Sequence, residues 1–297
     1  FSLVCRLAPP RARVRGRIHF GIVCLQVYDF DCKEGKTALV CNLLRHRRHY
    51  LSHLQRIMIL PKAEYFFVSD VHLKGSAGKT SSDDKETARF LEFLDSLPSS
   101  AKGLYLLGDI FDFWVDYKYV IPKGFTRVLG KLASLADSGL EVHFFPGNHD
   151  WWTFGYLETE IGMKVHYEPY VTEISGKRVF MAHGDGLGFK TVIDCLFKNK
   201  VCIALLKCLP SRWVFSFAHK WSAGSRNNTA KQSYVFQGEE DPLYKYAADY
   251  ENNSQEKIDI FVFGHIHSPA RIATPAGGEL IILGDWQNNF EQAIFTL

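Results

Sequence analysis

Residues 142–150 read Val-His-Phe-Phe-Pro-Gly-Asn-His-Asp, an apolar run followed by a glycine and three polar residues. The apolar run predicts a buried strand, and Gly147 permits a sharp backbone turn directly after it. The turn then presents an amide oxygen, an imidazole and a carboxylate from Asn148, His149 and Asp150. Alone, this tetrapeptide is weak evidence for a functional site.

Four further clusters of the same chemistry follow apolar runs elsewhere in the chain. They are Asp70-Val71-His72, Gly108-Asp109-Ile110-Phe111-Asp112, His183-Gly184-Asp185 and Gly264-His265-Ile266-His267. Each by itself is more often an ordinary turn or cap than a functional group. Five such clusters, all placed after strands, predict one site assembled at the edge of a sheet.

Strand and helix patterns alternate around these clusters. Helical periodicity at 84–97 and 125–136 separates predicted strands at 65–68, 104–107 and 142–145. This alternation is typical of βαβ units and of a parallel sheet whose two faces are covered. Further along the chain we predict a long helical stretch from 190 to about 254 and strands at 165–167, 170–174, 177–182, 258–263, 271–273, 280–283 and 293–297.

Size and composition fit one large domain. The chain has 297 residues, of which 46% are apolar, and no uncharged apolar run reaches the length of a transmembrane helix. Its seven cysteines are odd in number and lack CxxC spacing, which indicates reduced thiols and a cytoplasmic protein. We expect an α/β domain over 61–297 with a helical insertion at about 187–254.

The net charge of +3 is unevenly distributed. Residues 1–60 carry a charge of +8 and the remainder −5, so the main body is not a general nucleic-acid binder. The basic N-terminal segment fits either a targeting sequence or a poorly ordered extension, and we favour the extension because no amphipathic period is present. Short strands or helices are predicted near 18–26 and 37–44.

The residue types of the five clusters indicate metal chemistry. Asp, His and Asn side chains suit Mn²⁺, Fe²⁺ or Zn²⁺ better than calcium or a structural cysteine site. On extended backbone, Asp-x-His and His-x-His each direct two side chains to the same side. These two pairs, with Asp109 as a bridge, the Asn148 oxygen and His183, offer seven ligands, which suits two ions: Asp70, His72, Asp109, Asn148, His183, His265 and His267.

Other polar residues near these clusters are expected to have structural roles. We interpret His143 and His166 as packing histidines on strands. Asp112 and Asp150 fit carboxylates that hold the backbone or orient a ligand better than they fit metal ligands.

The ordered series of motifs resembles the calcineurin-like metallophosphoesterases over about Tyr65 to Trp286. The resemblance implies a four-layer α/β/β/α sandwich with two metal ions at the carboxyl ends of its strands. It assigns Asp70, His72 and His267 to one ion, and Asn148, His183 and His265 to the other, with Asp109 bridging. It also implies that His149, oriented by Asp112, stabilises the transition state or protonates the leaving group.

Within that superfamily the chain is most similar to the UDP-2,3-diacylglucosamine hydrolases of lipid A synthesis. The similarity rests on residues 108–114 (GDIFDFW), 182–185 (AHGD), 264–269 (GHIHSP) and 283–286 (LGDW). It implies cleavage of the substrate diphosphate to UMP and 2,3-diacylglucosamine 1-phosphate, with Mn²⁺ as the favoured ion and Fe²⁺, Zn²⁺ or Mg²⁺ as alternatives. Well-known members carry Arg after the motif Asn, whereas this chain has His149.

The predicted insertion fits a lipid substrate. Eight basic residues and one acid lie between Gly186 and Gly238, interleaved with apolar side chains. This composition suits a diphosphate with acyl chains and a peripheral position on the cytoplasmic face of the inner membrane, although an ordinary helical subdomain fits equally well. Our candidates for substrate contact are Trp114, Lys190, Trp213, Arg226 and Lys231.

Two other functions are compatible with these motifs. One is a phosphoesterase of the same family that acts on nucleotides or phosphoproteins. The other is a non-catalytic scaffold on the same fold, against which the full ligand set argues.

Overall fold

The computed structural model describes residues 14–20, 23–28, 64–75, 84–188, 198–214, 216, 234–254, 256–288 and 290–297. The chain divides into two units, Phe1–Ile59 and Leu60–Leu297. In the first unit, strand β1 (Val14–Phe20) pairs antiparallel with β2 (Val23–Tyr28). The short element predicted near 18–26 therefore belongs to a pair of strands, and the one predicted at 37–44 lies outside the described residues.

The second unit alternates strands and helices in its first half, as the periodicity predicts. Its described strands are β3 (Tyr65–Val68), β4 (Gly103–Leu106), β5 (Glu141–Phe144), β6 (Lys164–Val165), β7 (Tyr170–Ile174), β8 (Lys177–Met181), β9 (Ile260–Phe263), β10 (Ala270–Ala273), β11 (Glu279–Ile282) and β12 (Ile294–Thr296). Its named α-helices are α1 (Lys85–Ser96), α2 (Thr126–Asp137), α3 (Tyr156–Thr159), α4 (Lys200–Cys208) and α5 (Pro242–Asn253).

These strands form two five-stranded sheets. The first has the order β12-β3-β4-β5-β6, with β3 to β6 parallel and β12 antiparallel at one edge. The second has the order β10-β11-β9-β8-β7, in which β8, β9 and β11 run parallel. The carboxyl ends of each parallel set therefore meet at one edge of its sheet.

Alternation of side chains along the strands produces four layers. Phe66 and Val68 face α1 and α2, whereas Phe67 between them packs in the core that also contains β8, β9 and β11 residues. On the other side of the second sheet, Phe261 and Phe263 pack against α5. The predicted α/β/β/α sandwich is thus confirmed by the distribution of the buried side chains, with apolar burial as its main source of stability.

The predicted helical stretch contains separate helices, and prolines lie at their ends. Helix α4 is capped by the Asn199 side chain and ends at Leu209, whose extended backbone is what a residue before proline prefers. Helix α5 begins after Asp241, which caps it, with Pro242 in its first turn, where a missing N–H costs nothing. Residues 189–197 and 217–233 of the predicted helix lie outside the described part.

Among the described residues, no helix combines the length and the apolar character needed to cross a bilayer.

Candidate metal centre

Both sheets contribute to one polar cluster. Asp70 and His72 follow β3, Asp109 follows β4, and Asn148 and His149 follow β5 of the first sheet. The second sheet contributes His183 after β8, then His265 and His267 after β9. Ion-pair distances join residues of the two sheets, so the five motifs form one site.

The backbone beneath these side chains is strained. Positive φ angles occur at Asp70 (53°), His72 (50°), Asp109 (52°), His265 (72°) and His267 (53°). Among the described non-glycine residues, only Ser175, in a β-turn, shares this feature. The left-handed region is unfavourable for residues with a Cβ, and such strain concentrates at functional sites. The strain therefore marks the cluster independently of its residue types.

At two motif glycines, Gly147 and Gly264, the surrounding atoms leave no space for a Cβ atom. A Cβ on Gly147 would collide with the Asp109 carboxylate and lie 2.8 Å from the Asp109 backbone nitrogen. A Cβ on Gly264 would collide with the Ser69 hydroxyl and lie 2.6 Å from Asp70 Oδ2. Each glycine thus allows a loop of one strand to approach the carboxylate of another closely.

One group of potential ligands surrounds Asp70. Its Oδ1 lies 3.1 Å from His267 Nε2 and 3.8 Å from His72 Nε2, and the two Nε2 atoms are 3.2 Å apart. These three side chains form a cluster that could hold a metal ion. They are the three residues that the sequence assigns to one ion.

Asp109 lies at the centre of the remaining contacts. Its Oδ1 is 3.6 Å from His183 Nε2, while its Oδ2 is 3.9 Å from His72 Nε2 and 4.0 Å from His149 Nε2. Asp70, Asp109 and His183 form a second cluster of metal-binding type. The ring of His265 lies 5.1 Å from that of His183, centroid to centroid. The position of Asp109 between both groups suits a bridging carboxylate.

Hydrogen bonds outside the cluster aim the ligand atoms into it. Asp70 Oδ2 accepts from the Ser69 hydroxyl and from the His265 backbone N–H, and His183 Nδ1 donates to the Leu107 carbonyl at 2.8 Å. Among the described residues, His183 Nε2 and Asn148 Oδ1 are buried and have no hydrogen-bond partner. Buried polar atoms are normally paired, so these two atoms fit a metal site.

Asp150 holds the loops that carry the ligands. Its buried carboxylate accepts backbone N–H bonds from Gly147 (2.7 Å), Ile110 (2.8 Å), Asp109 (3.2 Å) and Phe111 (3.2 Å). It therefore ties the loop after β5 to the loop after β4. This is the backbone-bonding role expected from the sequence.

The charges in the site are mutually dependent. Burial lowers the pKa of His183, but the negative charges of Asp109, Asp70 and Asp185, with Asp109 contributing most, together raise it to about 10. Burial also lowers the pKa of His267. The Asp70 carboxylate is the main cause of the opposite effect, and the net result is a pKa raised to about 9. A metal ion binds neutral imidazole, so metal binding at these histidines releases protons. The metal affinity therefore decreases as pH falls.

His149 differs from the other histidines in its orientation. Its Nδ1 donates to the backbone carbonyl of Asp112 at 2.8 Å, and its backbone N–H donates to Asp109 Oδ1 at 2.9 Å. Asp112 thus contacts His149, as expected, but through its peptide carbonyl and not through its carboxylate. The Asp112 carboxylate instead lies 3.9 Å from His72 Nδ1.

The candidates for substrate contact have different outcomes. Trp114 is fully buried in the core beside Phe111 and Phe125, so it has no surface for substrate and that prediction is wrong. Trp213 is 61% exposed on the described part of the insertion. Lys190, Arg226 and Lys231 lie outside the described residues.

His143 and His166 pack as predicted, but they also pair. His143 Nδ1 lies 2.9 Å from His166 Nε2, and Tyr105, Phe145 and Tyr170 stack around the two rings. Sequence patterns did not indicate this pair, because His143 lies on β5 and His166 follows β6.

Sequence reasoning also missed a cavity of about 450 Å³ beside His183. Trp151, Tyr167, Asp185 and Lys198 contribute to its wall. The excess of basic residues in the insertion was the available signal for Lys198, but it could not distinguish one lysine from another.

Comparisons with known proteins agree with this geometry. Residues 65–269 match the calcineurin-like phosphoesterase family. The chain is 35% identical over 243 residues to a UDP-2,3-diacylglucosamine hydrolase of Porphyromonas gingivalis, covering 76% of this chain and 91% of that protein. Proteins of the same name from Haemophilus influenzae (27% identity, 76% and 91% coverage) and Stenotrophomonas maltophilia (29%, 74% and 90%) also match. The chain therefore belongs to the calcineurin-like phosphoesterase family.

Proposed function

We propose that this chain is a two-metal hydrolase that cleaves the diphosphate of UDP-2,3-diacylglucosamine. The observation that carries the proposal is the convergence of buried, unpaired ligand atoms around Asp109 in a chain 35% identical to a hydrolase of that name. The products are UMP and 2,3-diacylglucosamine 1-phosphate.

The ligand atoms would divide between two ions, with one carboxylate common to both groups. Asp70, His72 and His267 would hold one ion and Asn148, His183 and His265 the other, with Asp109 contacting both. When bound, such a pair of divalent ions activates water and neutralises charge on a phosphoryl group. Carboxylate, amide and imidazole ligands together suit Mn²⁺, Fe²⁺ or Zn²⁺. Mn²⁺, the ion favoured by the family resemblance, is our first choice.

The reaction adds water across the P–O–P bridge. Hydroxide joins one phosphorus atom, the bridging P–O bond breaks, and a proton goes to the departing phosphate oxygen. His149 Nε2 is placed to donate that proton or to stabilise the charge, because Nδ1 is occupied by the Asp112 carbonyl.

Part of the insertion offers an apolar surface for the acyl chains. Ile203 and Leu206 of α4 and nearby Val214 pack toward Val115 and Trp152. Apolar side chains are also left exposed in this part of the chain: Val201 and Leu205 on α4, and Leu209 and Trp213 after it. Exposed apolar side chains of this kind suit acyl chains and the surface of the cytoplasmic membrane from which they come. We therefore propose a peripheral position on the cytoplasmic face of the inner membrane.

A product assay tests the function directly. Purified protein is incubated with UDP-2,3-diacylglucosamine and Mn²⁺, with chelator in a parallel reaction, and UMP is quantified. Asp109→Ala is expected to abolish turnover, since loss of the shared carboxylate disrupts both ion sites. Retention of more than a few per cent of activity with two bound metals would contradict the two-metal assignment.

His149 favours a second candidate, a phosphoesterase of this family acting on other nucleotides. The residue after Asn148 is Arg in well-known diacylglucosamine hydrolases, and most other phosphoesterases carry His there. Running simple phosphodiesters beside the lipid substrate distinguishes the two functions.

A further inference from the structure

The cavity beside His183 is set into the edge of the metal centre. One wall comes from the segment after β5, including Phe145 and Trp151, and from residues 166–169. The other wall comes from the turn after His183, including Asp185 and Gly186, and from Lys198 at the start of the described insertion. A group in this cavity would therefore adjoin a phosphate held at the ions.

Lys198 is fixed on the cavity wall by two contacts. Its Nζ lies 2.7 Å from Asp185 Oδ2, and that carboxyl side chain is only 5% exposed. The same Nζ lies 4.1 Å from the centroid of the Trp151 ring, at the distance of a cation–π interaction. The Lys198 side chain is 27% exposed. An ammonium group has three N–H donors, so pairing with Asp185 leaves donors for a ligand.

The chemistry of the wall decides which part of a substrate fits. Asp185, Glu168 and Lys198 place charges there, and an acyl chain would desolvate them without compensation. A phosphate would instead receive charge-assisted hydrogen bonds from Lys198. The rings of Trp151 and Tyr167, whose centroids are 5.5 Å apart, add flat surface of the kind that contacts a nucleobase.

We propose that this cavity receives the nucleoside monophosphate end of the substrate, with Lys198 as the cation that recognises its phosphate. Asp185 and Trp151 position Lys198. The proposal rests on the function proposed above and assigns a subsite within it.

Lys198→Gln tests this assignment, with Lys207→Gln as a matched control. Lys207 also belongs to the insertion and also lies over an aromatic ring, 3.7 Å from the centroid of Phe154, but it does not line the cavity. Both variants lose one charge and one cation–π contact. The readouts are the inhibition constant of UMP and kcat/KM for UDP-2,3-diacylglucosamine and for bis(para-nitrophenyl) phosphate.

For Lys198→Gln we expect a rise of about 10–100-fold in the UMP inhibition constant, the range for losing a hydrogen bond to a charged group. Loss of kcat/KM should be larger on the UDP substrate than on the aryl diester. Lys198→Arg should recover part of both, whereas Lys207→Gln should behave as wild type. Melting temperatures of all variants show whether each is folded.

The nucleotide subsite and the proposed function are overturned by different results. If the wild type cleaves the UDP substrate but Lys198→Gln and Lys198→Arg both match Lys207→Gln, the subsite is overturned and the function stands. If the wild type does not cleave that substrate, the function is overturned, and the nucleotide subsite with it.

Discussion

His149 and Asp112 are joined by a 2.8 Å hydrogen bond from the imidazole Nδ1 to a peptide carbonyl. A carbonyl oxygen only accepts, so Nδ1 carries the proton and Nε2 is the atom that faces the site. Nε2 lies 4.0 Å from Asp109 Oδ2. Protonation of Nε2 therefore gives His149 an N–H that faces the site and can donate a proton to the substrate or stabilise its charge.

His149→Ala is therefore expected to lower kcat by about 10²–10⁴-fold, the range for a missing general acid. Metal content should remain close to that of the wild type, because Asp109, Asp70 and the other histidines stay in place. Steady-state kinetics and metal analysis of the same preparation check both statements. A collapse of metal content would show that His149 is a ligand.

Gly147→Ala should remove metal binding while leaving most of the fold intact. The added Cβ collides with the Asp109 carboxylate, whose position both ions require. Gly130→Ala is the matched control, because its Cβ meets nothing within 4 Å and lies in α2. We expect Gly130→Ala to keep full activity and to gain about 0.5–1 kcal/mol of stability from helix propensity. Urea unfolding and metal analysis measure the two variants, and a Gly147→Ala protein that binds two ions would refute the steric argument.

Trp213→Ala should weaken action on the diacylated substrate without lowering the melting temperature, because its side chain is 61% exposed. By analogy with hydrophobic-pocket discrimination, kcat/KM should fall by roughly 10–200-fold on the lipid and stay unchanged on a short diester. The neighbouring Val214 is buried against Val115 and Trp152, so Val214→Ala should instead lower the melting temperature. Equal losses on both substrates for Trp213→Ala would remove the lipid role of this surface.

We expect the burial of His166 to make the free energy of unfolding decrease in acid. Burial, with the nearby positive charges of His143 and Lys164, lowers its pKa to about 4, whereas an unfolded histidine has a pKa of about 6.5. Below about 6.5 the unfolded chain binds the extra proton, so this contribution is present above that pH and is lost as pH falls toward 4. His166→Gln should therefore lose less stability than the wild type between pH 7 and pH 4, measured by urea unfolding. Parallel pH curves for the two proteins would contradict the assignment.

Much of the fold followed from local pattern. Continuous apolar runs placed β3, β4 and β5, and helical spacing placed α1 and α2, to within about two residues. The strands are buried on both faces, whereas each helix buries one apolar face. The helical stretch predicted from residue 190 was given without internal boundaries. In the structure α4 ends before Pro210 and α5 begins at Pro242, and apolar periodicity alone did not locate these ends.

The site was likewise predicted only in part from the sequence. Residue types and motif order named Asp70, Asp109, His183 and His267, since metal chemistry restricts ligands to a few side chains. Sequence could not identify the Asp112 carbonyl as the partner of His149, because every residue has a backbone carbonyl and only the folded structure shows which one is close. Nor could it show that Trp114 is buried, because a tryptophan beside a motif suits either a core or a pocket.

By itself the sequence determined the family, the ligand chemistry and the alternating elements, all of which depend on residue type and on spacing along the chain. Only the tertiary structure decided which ligand atoms meet, how Asp150 ties two loops together, and that Lys198 lies against Asp185 beside the metal centre. The physical reason is that these relationships join residues far apart in sequence. Their distances are fixed by packing of two sheets and several loops, which no local pattern encodes.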